Sequence, residues 1–168
     1  MTIYSYVLSN IYSLLPFFIT LILSIVSLLP IMPSGTEEIT PLLGVISLSF
    51  WIVNRPDIMG WIPVIIIGIF NDVLYGSLLG IACLSAIMVR LILIKILHRV
   101  DLTNIYHTLF YVGLSLIVWL FINNLAQYII YFKFYNYHAV IFQFLVSLVI
   151  SPVIIFIQLL LFKKWLFQ

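Results

Sequence analysis

Six runs of apolar residues, at about 12–32, 41–53, 61–76, 78–97, 105–127 and 138–162, fill most of this chain, and only short breaks at glycine, proline or charge separate them. Segments of that kind hide either inside a protein core or in lipid. A core must be clothed in polar surface, and here the polar material is missing: 7% of the 168 residues are charged and 65% are hydrophobic, against about 25% charged in soluble domains. An integral membrane protein is therefore predicted. Strands of a membrane barrel alternate polar and apolar over about 10 residues, whereas these runs are unbroken and longer, so each is read as a helix. The expected fold class is all-α: a polytopic membrane protein with six transmembrane helices in one compact bundle, residues 1–168 forming a single transmembrane domain.

The second run, PLLGVISLSFWIV, is short. It yields about 20 Å of helix at 1.5 Å per residue, against a hydrocarbon core of about 30 Å. It must borrow flanking residues, thin the bilayer or be shielded by its neighbours. Direction follows from the basic residues, which are retained on the cytoplasmic side near span ends. With the N-terminus inside, Arg55, Lys95, Arg99, Lys163 and Lys164 fall in cytoplasmic segments and Lys133 falls outside; Arg90, deep in the fourth run, is not counted. Glu37 and Glu38 fall outside, in the longest polar gap, Met32 to Thr40. Tyr128, Tyr131, Tyr135 and Tyr137 gather at the outer end of the fifth run and Trp165 at the inner end of the last, the depths that amphipathic rings prefer. Both termini are predicted to be cytoplasmic. A cleaved secretory signal is not expected, because no Lys or Arg precedes the first apolar stretch and no small-residue cleavage site follows it.

Several function classes are excluded at this point. Cys83 is the one cysteine, which rules out an intrachain disulfide and CxxC-type metal sites. His98, His107 and His138 are scattered, with His138 on the outer side, so they share no metal ion. Nucleic-acid binding needs a clustered basic face, and no window of five residues holds more than two Lys or Arg. Phosphate-binding loops, HExxH, GxSxG and Cys–His pairs are absent from the sequence. No catalytic, cofactor-binding or metal-binding residues are assigned, and an enzyme is not expected.

Four polar constellations stand out against the apolar background. In NRPD, Asn54 to Asp57, Pro56 blocks a continuous helix and predicts a tight inner turn. There Arg55 reaches headgroup phosphates and Asp57 caps the third span. In GIFNDVLYGSLLG, Gly68 to Gly80, Asn71 and Asp72 lie about 15 Å beyond Trp61. An ionised aspartate at that depth costs a few kcal/mol unless a partner relieves it. With Gly68, Gly76 and Gly80 nearby, Asp72 is read as facing a neighbouring helix or capping the N–H groups that open span four. Arg90 sits about 18 Å along the fourth span, too far from Asp72 for an ion pair, and snorkels toward the inner interface or meets a polar group on another helix. In NNLAQYIIY, Asn123, Gln127 and Tyr131 recur every four residues and share one helix face, a stripe suited to packing against other helices. Pro152 predicts a kink in the sixth span, with Ser147 and Ser151 satisfying the freed carbonyls.

The segment from Ser49 to Val89 resembles the central region of the MreD family of bacterial rod-shape-determining membrane proteins. An apolar span ends in an Arg-Pro-acidic turn (Arg55, Pro56, Asp57), a Gly-x-x-x-Asp follows (Gly68, Asp72), and then a Gly-x-x-Leu-Gly turn (Gly76, Leu79, Gly80). Leu78 stands where the family often has proline in that turn. The resemblance implies a multi-pass protein of the bacterial inner membrane and a non-catalytic subunit of the cell-elongation machinery. Its expected partners are membrane lipids, MreC and, indirectly, MreB, RodA and a penicillin-binding transpeptidase. Arg55, Pro56, Asp57, Gly68, Asp72, Gly76 and Gly80 are then expected to shape a docking core, and no small-molecule ligand is expected. The rival reading is a substrate-binding membrane subunit of a vitamin uptake transporter, whose six-span architecture is similar. It requires a pocket near the outer face, for which Asn123, Gln127, Tyr128 and Asp72 are the available side chains.

Overall fold

The computed structural model describes residues 3–29, 40–97, 105–132 and 137–166, with side chains placed over 14–29, 40–96, 106–130, 132 and 137–162. Glu37, Glu38, His98, Arg99, Lys133 and Tyr135 lie outside the described residues, as do the side chains of Tyr131, Lys163, Lys164 and Trp165. Among the described residues the chain is all-helical, with six helices: α1 (Ile3–Val26), α2 (Leu43–Asn54), α3 (Trp61–Tyr75), α4 (Ile81–Leu97), α5 (Ile105–Tyr131) and α6 (Tyr137–Leu166).

The shortest helix is the hub. Every residue of α2 from Leu43 to Val53 is buried, and α2 packs against α1, α4, α5 and α6. Its sequence explains this position, because LGVISLSFWIVN is apolar or small on all sides, and a helix without a polar face has no side to offer water. The remaining helices form an arc around it, α1 against α3, α3 against α4, α4 against α5 and α5 against α6. Of the three ways to accommodate a short second span, shielding by neighbours is the one the fold adopts.

Small residues set how closely the arc closes. A Cβ on Gly44 would run into the Ser24 side chain, so α1 and α2 meet backbone to side chain. A Cβ on Gly68 would stand 2.5 Å from the Cα of Cys83, so α3 and α4 approach nearly backbone to backbone. Hydroxyls then tie the helices together where water is absent. Thr20 Oγ1 donates to the Pro16 carbonyl (2.8 Å) and stands 3.1 Å from Ser47 Oγ, which accepts from Gln158 Nε2 at 2.6 Å. Since the Thr20 proton is taken by the carbonyl, Ser47 donates to Thr20. A directed chain thus runs from α6 through α2 to α1. Ser49 Oγ donates to Ser115 Oγ (2.6 Å), which donates to the Val112 carbonyl, fastening α2 to α5.

Several boundaries differ from those expected. Helix α1 begins at Ile3 and closes at Val26 instead of spanning 12–32, and continues through Pro16. Helix α4 begins at Ile81 instead of 78, because Gly80 holds φ +111, outside the helical region. Helices α5 and α6 run on to Tyr131 and Leu166. At Pro152 the expectation is half met. Ser151 Oγ donates to the Leu148 carbonyl (2.8 Å), the acceptor that proline leaves unpaired, and α6 continues unbroken. Ser147 does something else: its Oγ accepts from Leu42 N (3.0 Å), fixing the entry to α2 against α6.

The outward surface is the apolar one. Ile62, Val73, Phe110, Phe121, Val149 and Phe156 are all more than half exposed, while Thr20, Ser47, Ser49, Ser85, Ser115 and Gln158 are buried. Among the described residues, two segments, Tyr106–Ile130 and Tyr137–Phe162, are long and apolar enough to cross a membrane.

The Gly68 contact is open to a direct test. Gly68→Val should destabilise the fold by about 2 kcal/mol through overpacking against Cys83. Gly113→Ala, where nothing lies within 4 Å of the added carbon, should be neutral or stabilising by about 0.5 kcal/mol. Thermal unfolding of the two variants in detergent distinguishes them.

Candidate functional site

Asp72 is completely buried, and one residue builds both sides of the α3–α4 turn. Its backbone carbonyl closes α3, accepting from Gly76 N and from Ser77 N (3.1 Å), with Gly76 in the left-handed conformation at φ +60. Its carboxylate opens α4. Oδ1 accepts from Ala82 N (2.8 Å) and Ser77 Oγ (2.7 Å), and Oδ2 from Gly80 N (2.8 Å) and Cys83 N (3.3 Å). The N–H groups that start a helix lack partners within it, and here the accounting is complete. Ile81 N bonds the Leu78 carbonyl, Leu84 N bonds the Gly80 carbonyl, and Asp72 takes the two between. The negative charge also meets the positive end of the α4 dipole. Four donors thus occupy the two carboxylate oxygens.

The other residues of the 55–80 motif fall into two groups. Gly68, Asp72, Gly76 and Gly80 converge on this hairpin. Arg55, Pro56 and Asp57 lie beyond the far end of α2, in a turn closed by the Arg55 carbonyl accepting from Ile58 N and Met59 N (both 3.2 Å). Arg55 is exposed and its guanidinium carbon lies 5.8 Å from the centroid of the Phe162 ring on α6. Asp57 does not cap α3 as expected. The cap position is Gly60, extended at φ −64 and ψ −172, with no side-chain hydrogen bond, and Asp57 is exposed three residues upstream of it. Arg90 is buried, with its guanidinium carbon 5.0 Å from the centre of the Trp61 ring. It has thus turned toward the N-terminus of α3 and away from Asp72. Its Nε and Nη1 have no hydrogen-bond partner among the described residues.

A chamber of about 480 Å³ opens beside the Asp72 hairpin, between the start of α2, the α3–α4 turn, the second half of α5 and the start of α6. Asn123 and Gln127 both line it. Asn123 also crosses to α4, Nδ2 donating to Ser85 Oγ (3.0 Å) and to the Trp119 carbonyl (2.9 Å). Asn124 and Gln143, which sequence reasoning did not single out, line the same chamber. The only sequence signal for Asn124 was the Asn-Asn pair itself; Gln143 lies on another helix and nothing in its neighbourhood marked it. Asp72 is behind the wall, one hydrogen bond from Ser77 and Ala82, which face the chamber. Tyr128 lines a separate apolar groove of about 500 Å³ between α5 and α6.

Comparison with protein-family models, curated proteins and solved structures yields no match to this chain. Among the described residues, no three of His, Cys, Asp and Glu lie close enough to hold a metal ion.

Removing the Asp72 carboxylate strands the N–H groups of Gly80, Ala82 and Cys83. Asp72→Ala is expected to destabilise the protein by about 3 kcal/mol. Asp72→Asn, which offers one acceptor oxygen in place of two, should recover less than half of that. Chemical or thermal unfolding of the purified variants measures both.

Proposed function

We propose that this chain is a multi-pass protein of the bacterial inner membrane, all six helices crossing with both termini in the cytosol. We propose further that it serves as a non-catalytic docking subunit of the cell-elongation machinery, associating with MreC and through it with MreB, RodA and a penicillin-binding transpeptidase. The observation that carries this reading is the state of Asp72. The one acid of the MreD-like segment that lies deep in a helix is consumed entirely in joining two helices, so the segment functions as framework. Its neighbours Gly68, Gly76 and Gly80 serve the same hairpin.

The distribution of side chains supports the membrane part. Large apolar residues face outward on α3, α5 and α6, the kind of surface that lipid or a partner covers, and hydroxyls of Thr20, Ser47, Ser49 and Ser115 are paired inside. Such outward faces are the material from which transmembrane helices dock against one another. The short α2 needs no lipid contact of its own, and the turn residues at 76–80 extend the reach of α3 and α4.

The chamber beside α5 favours the second reading, a substrate-binding subunit of a vitamin uptake transporter. Two of the four side chains required for it, Asn123 and Gln127, line that space. Of the other two, Tyr128 lines the groove instead and the Asp72 oxygens are already occupied.

Reporter fusions at the two ends are expected to place both on the cytosolic side. Full-length protein purified from membranes in mild detergent is expected to carry MreC with it, and Asp72→Ala to reduce that recovery several-fold while Gly113→Ala leaves it intact. A vitamin retained through purification, with no MreC recovered, decides for the second reading.

A further inference from the structure

We propose that the chamber and the adjoining groove form one amphiphile site whose occupant is a neutral lipid with a polyhydroxyl head group, the head in the chamber and a hydrocarbon chain in the groove. The inference rests on the membrane placement proposed above and goes beyond the docking role.

Three observations lead to it. First, the two spaces adjoin: Leu120, Asn124 and Val140 line both. A polar compartment thus stands beside an apolar one across a shared wall, the arrangement that a head and a tail would occupy.

Second, the chamber presents acceptors. The amide nitrogens of Asn123, Asn124 and Gln143 are each held by a backbone carbonyl, of Trp119 (2.9 Å), Leu120 (2.8 Å) and Thr40 (3.0 Å) respectively. An amide oxygen in any of those places would face another oxygen, so the amides cannot turn over, and the side chains keep their carbonyl oxygens for a guest. Gln127, one turn beyond Asn123, makes no hydrogen bond to the described residues and keeps its whole amide. A guest rich in donors satisfies this lining, and hydroxyl groups are such donors.

Third, charge selects against the common alternatives. Among the described residues, no Lys, Arg, Asp or Glu side chain lines either space, and the Asp72 carboxylate lies behind the chamber wall, bonded to Ser77 and Ala82. A phosphate would find no cation and a negative neighbour, which disfavours anionic and zwitterionic phospholipid heads. Tyr75 and Trp119 add ring surface to the chamber, against which the C–H face of a sugar packs. In the groove Phe121, Ile141 and Phe144 supply the apolar wall for a chain.

The test uses the full-length protein in phosphatidylcholine nanodiscs containing a trace of one of two photoreactive lipids with the same diazirine-bearing chain, monoglucosyl diacylglycerol or phosphatidylcholine. The glucosyl lipid is expected to label α5 and α6 around Phe121 and Phe144 several-fold more than the phosphatidylcholine probe. Gln127→Leu, which breaks no hydrogen bond among the described residues, should lower that labelling about two- to tenfold, as removal of one hydrogen bond implies. Val140→Trp, at the junction of the two spaces, should abolish it. Unfolding temperatures like the parent's establish that both variants are folded. Equal labelling by the two probes, or labelling indifferent to both substitutions, overturns the inference. So does full competition by free glucose, which would assign the chamber to a soluble guest. Release of the protein from native membranes by alkaline carbonate overturns the membrane placement and the lipid site together, whereas an inserted protein labelled alike by both lipids overturns the lipid site alone.

Discussion

A twelve-residue helix with no outward face can persist only if neighbours cover it on every side, and the architecture follows from meeting that demand for α2. Four helices touch it directly, and α3 is held by α1 and α4. Because α2 carries Ser47 and Ser49 among its aliphatic residues, α1, α5 and α6 each also find a hydroxyl to bond. Apolar packing sets the distances, and the buried hydrogen bonds set which residue of α1, α5 and α6 lies opposite which residue of α2. In a low-dielectric interior such bonds are expensive to leave unmade, so they specify one register for each pair of helices.

Asp72 solves a related problem with charge. A carboxylate that deep would be a liability if it faced lipid, and the sequence around it removes the liability by bringing four donors to it within eleven residues. Gly76 supplies the left-handed residue that turns the chain, Gly80 the next one, and Gly68 the gap that lets α4 lie close enough for its first amides to be reached. The geometry that meets the charge occupies both of its oxygens. Polar capacity is left over one layer away, in amide oxygens of Asn124 and Gln143 that no hydrogen bond among the described residues uses.

Much of this was legible in the sequence, and the exceptions have physical reasons. The number and order of the helices follow from the apolar runs, and the turn at 76–80 follows from its glycines. The Asp72 cap is legible because a buried acid must find donors and the nearest unpaired ones belong to the next helix. Asp57 misled because an acid near a helix start resembles a cap, whereas the extended Gly60 puts the true start beyond its reach. Ser147 was assigned to Pro152 by proximity along the chain, yet Leu42 N comes closer in space. The chamber was only half visible. A face drawn through Asn123 and Gln127 omits Asn124, about 100° around the helix, and nothing local ties Gln143 to either. Convergence across helices is a property of the assembled bundle.

The way Asp72 is satisfied has a consequence for how the chain is made. All the donors that quench its charge come later in the sequence, on residues 77 to 83. Were α3 to leave the ribosome and enter a bilayer first, it would carry an unsolvated anion until α4 emerged. A helical hairpin entering as one unit would avoid that state, and a single side chain would then set the timing of synthesis.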